Sequence, residues 1–202
     1  MQVIDLNCSG CGGALTPDMV ECKYCGKAIV ISSFNSLSLL NPLQLKNAAK
    51  AFEKGDCVSA VSGDSQDESN VSFALACCYL KLGLYDKAVE KFDTAIDEEY
   101  SNSEVYFYAA AALLKGKKAF LAPMASIKKI IEYIEAATML EDRGIYHYFL
   151  AYIKYDFYAR KYLKVSPSWQ EELAIAHNLG VSASDISELF KILNVQVPDC
   201  LA

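Results

Sequence analysis

The sequence predicts a mainly α-helical protein that carries a small β module at its N-terminus. Two observations point to this fold class. Four of the eight cysteines lie in two matched Cys-x-x-Cys-Gly pairs near the N-terminus. Much of the remaining chain consists of segments with helical periodicity that end at a glycine. A chain of 202 residues has room for one ordinary domain beside a module of that size.

The N-terminal cysteines have the type and spacing of metal ligands. They are Cys8, Cys11, Cys22 and Cys25, in the pattern Cys-x2-Cys-x10-Cys-x2-Cys. Thiolates suit Zn²⁺, and four of them complete the tetrahedral shell of a structural site. The glycine after each pair lets backbone N–H groups approach the sulfurs closely. We therefore predict one structural Zn²⁺ on these four residues; a pair of disulfides or unrelated thiols are the alternatives.

Short β segments accompany the cysteines. Residues 14–16 and 19–21 flank Pro17-Asp18, which is typical of a hairpin turn, and residues 27–31 predict a third strand. With its two cysteine knuckles the segment resembles a zinc ribbon. Its charges are net acidic, which disfavours nucleic acid as a ligand. Four cysteine ligands would leave no open coordination position for catalysis.

Beyond the ribbon the sequence predicts a series of helices. Asn41-Pro42 has an N-cap residue followed by proline at the first helical position. A polar run over residues 62–70 predicts a loop. Short turns between the helices imply antiparallel neighbours. The predicted helices cover residues 42–54, 71–82, 85–96, 103–114, 124–140, 145–163, 168–179 and 184–193.

An internal repeat predicts the architecture of the helical part. The pattern comprises Leu75, Ala76, Tyr79, Gly83, Tyr85, Ala88, Phe92 and Ala95. Alanine is small where two helices approach closely, and Gly83 permits the turn between them. These spacings resemble the tetratricopeptide repeat (TPR), and a partial second copy begins near Ser103, 34 residues on. The resemblance covers residues 69–116 and implies a TPR-like α-solenoid of antiparallel helix pairs with a concave groove for a protein segment.

Three parts follow from these patterns: a zinc ribbon over residues 1–32, an uncharged linker over 33–41, and a TPR-like helical repeat domain over 42–196. In the repeat family the first helix of each pair lines the groove. The corresponding positions here are assigned to partner binding, and they are Phe73, Cys77, Phe107 and Ala111. Family members that hold an acidic chaperone tail have lysine and asparagine there, so we expect an apolar or aromatic partner segment instead.

The C-terminal helices resemble a helix-turn-helix, with Leu-Gly-Val-Ser over residues 179–182 at the turn. A recognition helix needs basic or amide side chains toward the bases. Here the second helix carries Asp185 and Glu188, with Lys191 as its one basic residue. This composition favours a helical hairpin that caps the solenoid, and DNA recognition is the alternative.

Two surface features leave alternatives open. The predicted helix over 145–163 contains eight aromatic residues, which indicate core packing or a second, partner-binding face. Five lysines cluster over residues 115–129. They indicate either a solvated helix face or a region that steers an acidic partner.

The charge and motif content favour binding over catalysis. The formal net charge of −6 disfavours general affinity for nucleic acid or anionic membranes. No secretory signal, apolar span or catalytic motif is present, and neither His147 nor His177 lies in a metal or triad pattern. We predict a cytoplasmic, non-enzymatic adaptor that binds a protein partner through the helical groove, with its oligomeric state left open. The alternative is a transcription-related, nucleic-acid-associated factor that uses the ribbon or the C-terminal hairpin.

Overall fold

The structure is a computed structural model, and it divides the chain into two compact units, Met1–Glu98 and Glu99–Ala202. The residues that it describes are 6–7, 14–15, 23–24, 29–30, 46, 49–50, 58–59, 68–98 and 101–201. Over these residues the predicted mainly α-helical class is confirmed. None of the helices described is both long and apolar enough to cross a membrane.

The first unit contains two short strand pairs. Strand β1 (Leu6–Asn7) pairs antiparallel with β2 (Ala14–Leu15), and Leu6 lies opposite Leu15. Strand β3 (Ile29–Val30) pairs in parallel with β4 (Val58–Ser59). The β1–β2 pair therefore brackets the stretch of sequence that holds the first Cys-x-x-Cys motif. The four cysteines themselves, the predicted strand 19–21 and the predicted linker lie outside the described residues.

The first unit also contains a helix pair, α1 (Glu68–Lys81) and α2 (Tyr85–Glu98). The turn between them has Gly83 at φ +71°, a left-handed conformation that glycine adopts without a Cβ penalty. The small residues of the repeat pattern, Ala76 and Ala88, are fully buried. The predicted loop over residues 62–70 is wrong at its end, because α1 already begins at Glu68, where a carboxylate favours a helix N-terminus.

The second unit consists of helix pairs with a shared core. Its helices are α3 (Ser103–Leu113), α4 (Met124–Leu140), α5 (Gly144–Ile153), α6 (Trp169–Asn178) and α7 (Ala183–Leu193). Helix α3 packs on α4 and α5 packs on α6, while α4 also contacts α5. A short 3-10 turn over Ala119–Leu121 connects α3 to α4.

The aromatic helix differs from its prediction. Instead of one helix over 145–163, α5 ends at Ile153, a π-helical turn covers Lys154–Tyr158, and a 3-10 turn covers Ala159–Lys161. The wider π turn brings two charged side chains inside, where each finds a partner: Lys154 pairs with Glu172, and Asp156 pairs with Arg160. Such insertions into a helix are common at functional sites.

Most aromatic residues of this region form the core, as one of the two interpretations expects. Tyr146, Tyr148, Phe149 and Tyr152 are almost completely buried. The Tyr148 hydroxyl donates to the Leu201 carbonyl at 2.5 Å, which fixes the C-terminal segment of the chain. The hydroxyls of buried tyrosines need such partners, and those of Tyr146 and Tyr152 have them as well.

Candidate interaction surface

The predicted partner-binding residues lie inside the helical packing. Phe73 and Cys77 lie one turn apart on α1, and Phe107 and Ala111 lie one turn apart on α3. No more than 5% of any of these residues is exposed. The ring of Phe107 lies 5.0 Å from that of Tyr146, centroid to centroid. None of the four therefore offers surface to a partner in this conformation.

Large apolar side chains are exposed in several segments of the second unit, Met139–Leu140 and Leu179 among them, and two further segments lie near lysines in the sequence. The first contains Leu121, which is 68% exposed, and Met124. The second contains Tyr162, which is 96% exposed, and Leu163. Single exposed apolar residues are ordinary, but a group of them marks an interaction site when the fold brings its members together.

Hydrogen bonds attach the backbone just before Leu121 to side chains of the helical region that precedes Tyr162. The Phe120 N–H donates to the Asp156 carboxylate at 2.8 Å, and the Ala119 N–H donates to the Tyr152 hydroxyl at 3.3 Å. Asp156 and Tyr152 are both buried, and the bond to Tyr152 is shielded from water while the bond to Asp156 is partly shielded. The 3-10 turn over Ala119–Leu121 is thereby attached to the π-helical region.

Two cations lie against the same aromatic ring. The Arg160 guanidinium is 4.6 Å from the centroid of the Phe120 ring, and the Lys161 ammonium is 5.0 Å from it. Lys161 also lies 3.7 Å from the centroid of Phe157. Arg160 donates to Asp156 at 2.5 Å, and this hydrogen bond raises the pKa of Arg160. Cation–π contacts and the ion pair therefore fix positive charge beside the exposed apolar residues.

Two further lysines lie near Phe120 or Lys161 in the sequence. Lys118 is two residues from Phe120, and Lys164 is three residues from Lys161, so each backbone position lies within about 11 Å of its neighbour in the cluster. Both lysines are exposed. We define the basic surface as Lys118, Leu121, Lys161, Tyr162, Leu163 and Lys164. The lysine cluster of the sequence supplies one side of it.

Tyr162 has an uncommon backbone conformation. Its φ is 56°, in the left-handed region where glycine is usual at the end of a helix, and the Leu163 N–H closes the turn by donating to the Tyr158 carbonyl at 2.9 Å. For a bulky residue this conformation costs about 1 kcal/mol or more. A strained aromatic residue that stays almost fully exposed fits a contact residue better than a packing residue.

Asp156 and Tyr152 hold this surface in place by hydrogen bonds, and Tyr152 makes the stability of the fold sensitive to alkaline pH. Burial raises the pKa of Tyr152 to about 12, and the neighbouring Asp156 carboxylate adds to the effect. An unfolded tyrosine ionises near pH 10. Tyr152 thus stays protonated to a higher pH in the native state than in the unfolded state. The contribution of Tyr152 to the stability of the fold is therefore fully present below about pH 10 and is lost as the pH rises through about 12.

Tyr152→Phe is therefore expected to flatten the loss of stability between about pH 10 and about pH 12. At neutral pH the same variant should cost about 1 kcal/mol, because the buried Ala119 N–H loses its acceptor. Urea unfolding followed by circular dichroism over this pH range measures both effects. Tyr162→Phe, at an exposed phenol, is the control. Parallel alkaline curves for Tyr152→Phe and the unaltered protein would contradict this account.

A second charged cluster is internally paired, and its lysine and glutamate are buried. The Lys154 ammonium lies 2.6 Å from Glu172 Oε1, and Glu172 Oε2 lies 2.7 Å from His147 Nδ1. His147 Nε2 lies 2.9 Å from Asp142 Oδ1. Both ring nitrogens of His147 thus face carboxylates, and neither is placed to accept a proton from a substrate. Sequence patterns missed this cluster because Glu172 is 25 residues from His147 and the π turn directs Lys154 inward.

The loop between α4 and α5 is also occupied by internal contacts. Glu141 accepts from the Ser103 hydroxyl at 2.9 Å, and Arg143 donates to Glu104 at 3.2 Å. Burial raises the pKa of the Tyr146 hydroxyl, which shares this network. The charged side chains of this loop therefore serve the fold, whereas Lys118 and Lys164 of the basic surface have no ion pair within the described residues.

An apolar groove lies between α7 and the C-terminal segment. Its volume is about 820 Å³, and Ile186, Phe190, Val195, Val197 and Leu201 contribute its apolar walls. The two C-terminal helices lie close to the predicted bounds, and Gly180 at φ +76° forms the turn. The first turn of α7 carries the Ser182–Asp185 capping box and no basic residue, so it does not suit a phosphate backbone.

Among the described residues no three His, Cys, Asp or Glu side chains are placed to hold a metal ion; the predicted zinc ligands Cys8, Cys11, Cys22 and Cys25 lie outside those residues. No protein-family model, curated protein or solved structure matches this chain.

Proposed function

We propose that this protein is a non-enzymatic protein–protein interaction adaptor whose basic surface binds a protein partner. The observation that carries the proposal is the exposure of Leu121, Tyr162 and Leu163 near lysines, in a region that hydrogen bonds to the buried side chains of Tyr152 and Asp156 hold in place. Protein interfaces combine apolar and aromatic anchors with a polar rim in this way. A pre-ordered surface also reduces the entropy cost of binding.

The rest of the chain has a supporting role in the proposal. The helix pairs serve as a TPR-like scaffold, for which the repeat spacing and the buried small residues Ala76 and Ala88 are the support. The N-terminal cysteines hold one structural zinc in a ribbon, for which the doubled Cys-x-x-Cys-Gly motif is the support. The adaptor works in the cytoplasm, where paired thiols of this kind bind metal.

A nucleic-acid-associated factor is the second candidate, because lysines and an exposed tyrosine also suit nucleic acid. Salt titration separates the two functions. Binding to DNA or RNA whose affinity falls steeply with salt concentration would favour this candidate. Absence of salt-sensitive affinity would exclude it.

Site-specific photo-crosslinking tests the adaptor function. We expect benzoylphenylalanine at position 162 to form a discrete adduct with a partner protein in cells. The same group at position 139 should form no such adduct, although Met139 is 88% exposed, because it lies outside the basic surface. Adducts of equal yield at both positions, or none at position 162, would contradict the proposed function.

A further inference from the structure

We propose that the segment bound by the basic surface is acidic, and that it carries aspartate or glutamate beside at least one large apolar side chain. This inference rests on the proposed function and adds the chemistry of the partner. It follows from the local charge, from the contacts of the charged side chains, and from the exposed apolar residues of the basic surface.

The local charge differs in sign from that of the whole chain. No aspartate or glutamate occurs in the sequence between Glu104 and Glu132, an interval with five lysines. None occurs between Asp156 and Glu171 either, where Arg160, Lys161 and Lys164 lie. The chain as a whole carries a formal charge of −6. The basic surface is thus a local excess of positive charge in an acidic protein, and a partner with negative charge complements it.

The carboxylate beside this surface does not neutralise it. Asp156 is 3% exposed and accepts hydrogen bonds from the Phe120 N–H and from Arg160. Among the residues that the structure describes, Arg160 is the cation that pairs with it. Lys161 lies against the rings of Phe120 and Phe157, and it has no ion pair with a carboxylate in the part of the chain that the structure describes. Lys161 therefore keeps its charge available to a carboxylate of the partner.

The apolar residues of the surface require more than charge from the partner. Leu121 and Leu163 are aliphatic, and Tyr162 is directed into solvent. Packing against other apolar side chains lowers the free energy of aliphatic side chains, because it removes their surface from water. A purely acidic segment would leave them exposed, so the partner has to supply an apolar residue as well.

An acidic protein segment fits better than a nucleic acid or an anionic membrane. Both of these carry extended negative charge, which a protein with a net charge of −6 repels at long range. A short peptide has to match only the local excess of positive charge. Of the exposed apolar side chains of the basic surface, Tyr162 offers a ring face on which a base could stack, whereas Leu121 and Leu163 do not.

Fluorescence anisotropy with a defined probe tests the inference on the full-length protein. The probe is a short labelled peptide of glutamate, aspartate, leucine and phenylalanine. One matched peptide has amides in place of the acids, and another has serine in place of the apolar residues. Vesicles that contain phosphatidylserine and a DNA oligonucleotide are the competing ligands. Lys118→Glu combined with Lys164→Glu reverses two exposed charges, and Lys191→Glu reverses an exposed charge on α7 as the control.

We expect the acidic, apolar peptide to bind and both matched peptides to bind at least about tenfold more weakly. The double charge reversal should weaken binding by at least about tenfold, and Lys191→Glu should change it less than about twofold. Equal binding of the amide peptide, or tighter binding of vesicles or DNA through the same lysines, would overturn the inference. No binding of the acidic peptide would also overturn it, while a protein adduct at position 162 would leave the adaptor function intact.

Discussion

Glu172→Gln is expected to lower the free energy of unfolding by about 3–5 kcal/mol, because it leaves a buried lysine without its counter-charge. Lys154 is 2% exposed, and its ammonium lies 2.6 Å from Glu172. Glu172 also lies 2.7 Å from His147. One carboxylate thus contacts a lysine and a histidine that belong to the π-helical turn and to α5, and its loss affects the contact of this region with α6. Urea denaturation followed by circular dichroism measures the change.

A double variant that removes both charges shows whether the stability loss of Glu172→Gln is electrostatic or comes from damaged packing. Lys154→Met removes the buried cation, so the double variant with Glu172→Leu should recover most of the stability that Glu172→Gln loses. Glu135→Gln, at an exposed position on α4, is the control and should change stability by less than about 0.5 kcal/mol. A loss below about 1 kcal/mol for Glu172→Gln would show that the buried pair does not have the expected role.

Cys22→Ser is expected to abolish metal binding by the N-terminal segment. Purified protein should contain about one zinc per chain, since four thiolates complete the shell of a structural site. The loss of one ligand opens that shell, and a ribbon of this size has little apolar core to hold its fold without metal. Elemental analysis measures the zinc content, and thiol titration measures the number of accessible cysteines.

Cys57→Ser is the matched control for the zinc prediction, because Cys57 lies outside both Cys-x-x-Cys pairs. This variant should keep the metal content of the unaltered protein. Preparations without metal, with the four N-terminal cysteines oxidised in pairs, would contradict the ribbon and favour the disulfide alternative.

The sequence predicts a helix well where its apolar residues keep the helical period and a residue such as glycine marks its end. Helix α4 has the predicted bounds, residues 124–140. Gly83 and Gly180 end helices as predicted, because both positions need a left-handed φ. The end of α5 could not be predicted in the same way. The π turn at Lys154 depends on a buried pair with Glu172, and that residue belongs to another helix.

The sequence shows which residues make up the candidate surface in part, but it does not show how they are arranged. The lysines between positions 115 and 129 are visible in the sequence as a possible acidic-partner site. The sequence does not show that Phe120 lies against Arg160, because this contact depends on the buried Asp156 and the π turn. Nor does a repeat pattern show which positions are exposed: Phe107 is buried against aromatic residues of α5, whereas Tyr162 stays in solvent.

Photo-crosslinking from position 162 in charge-reversed protein tests most directly whether the basic surface binds a protein partner. We expect the adduct to form in the otherwise unaltered chain and in the Lys191→Glu background. It should disappear when Lys118→Glu and Lys164→Glu are combined. An adduct that persists in that double variant, with unchanged yield, would contradict the account, because the partner would then contact Tyr162 without using the charge of the basic surface.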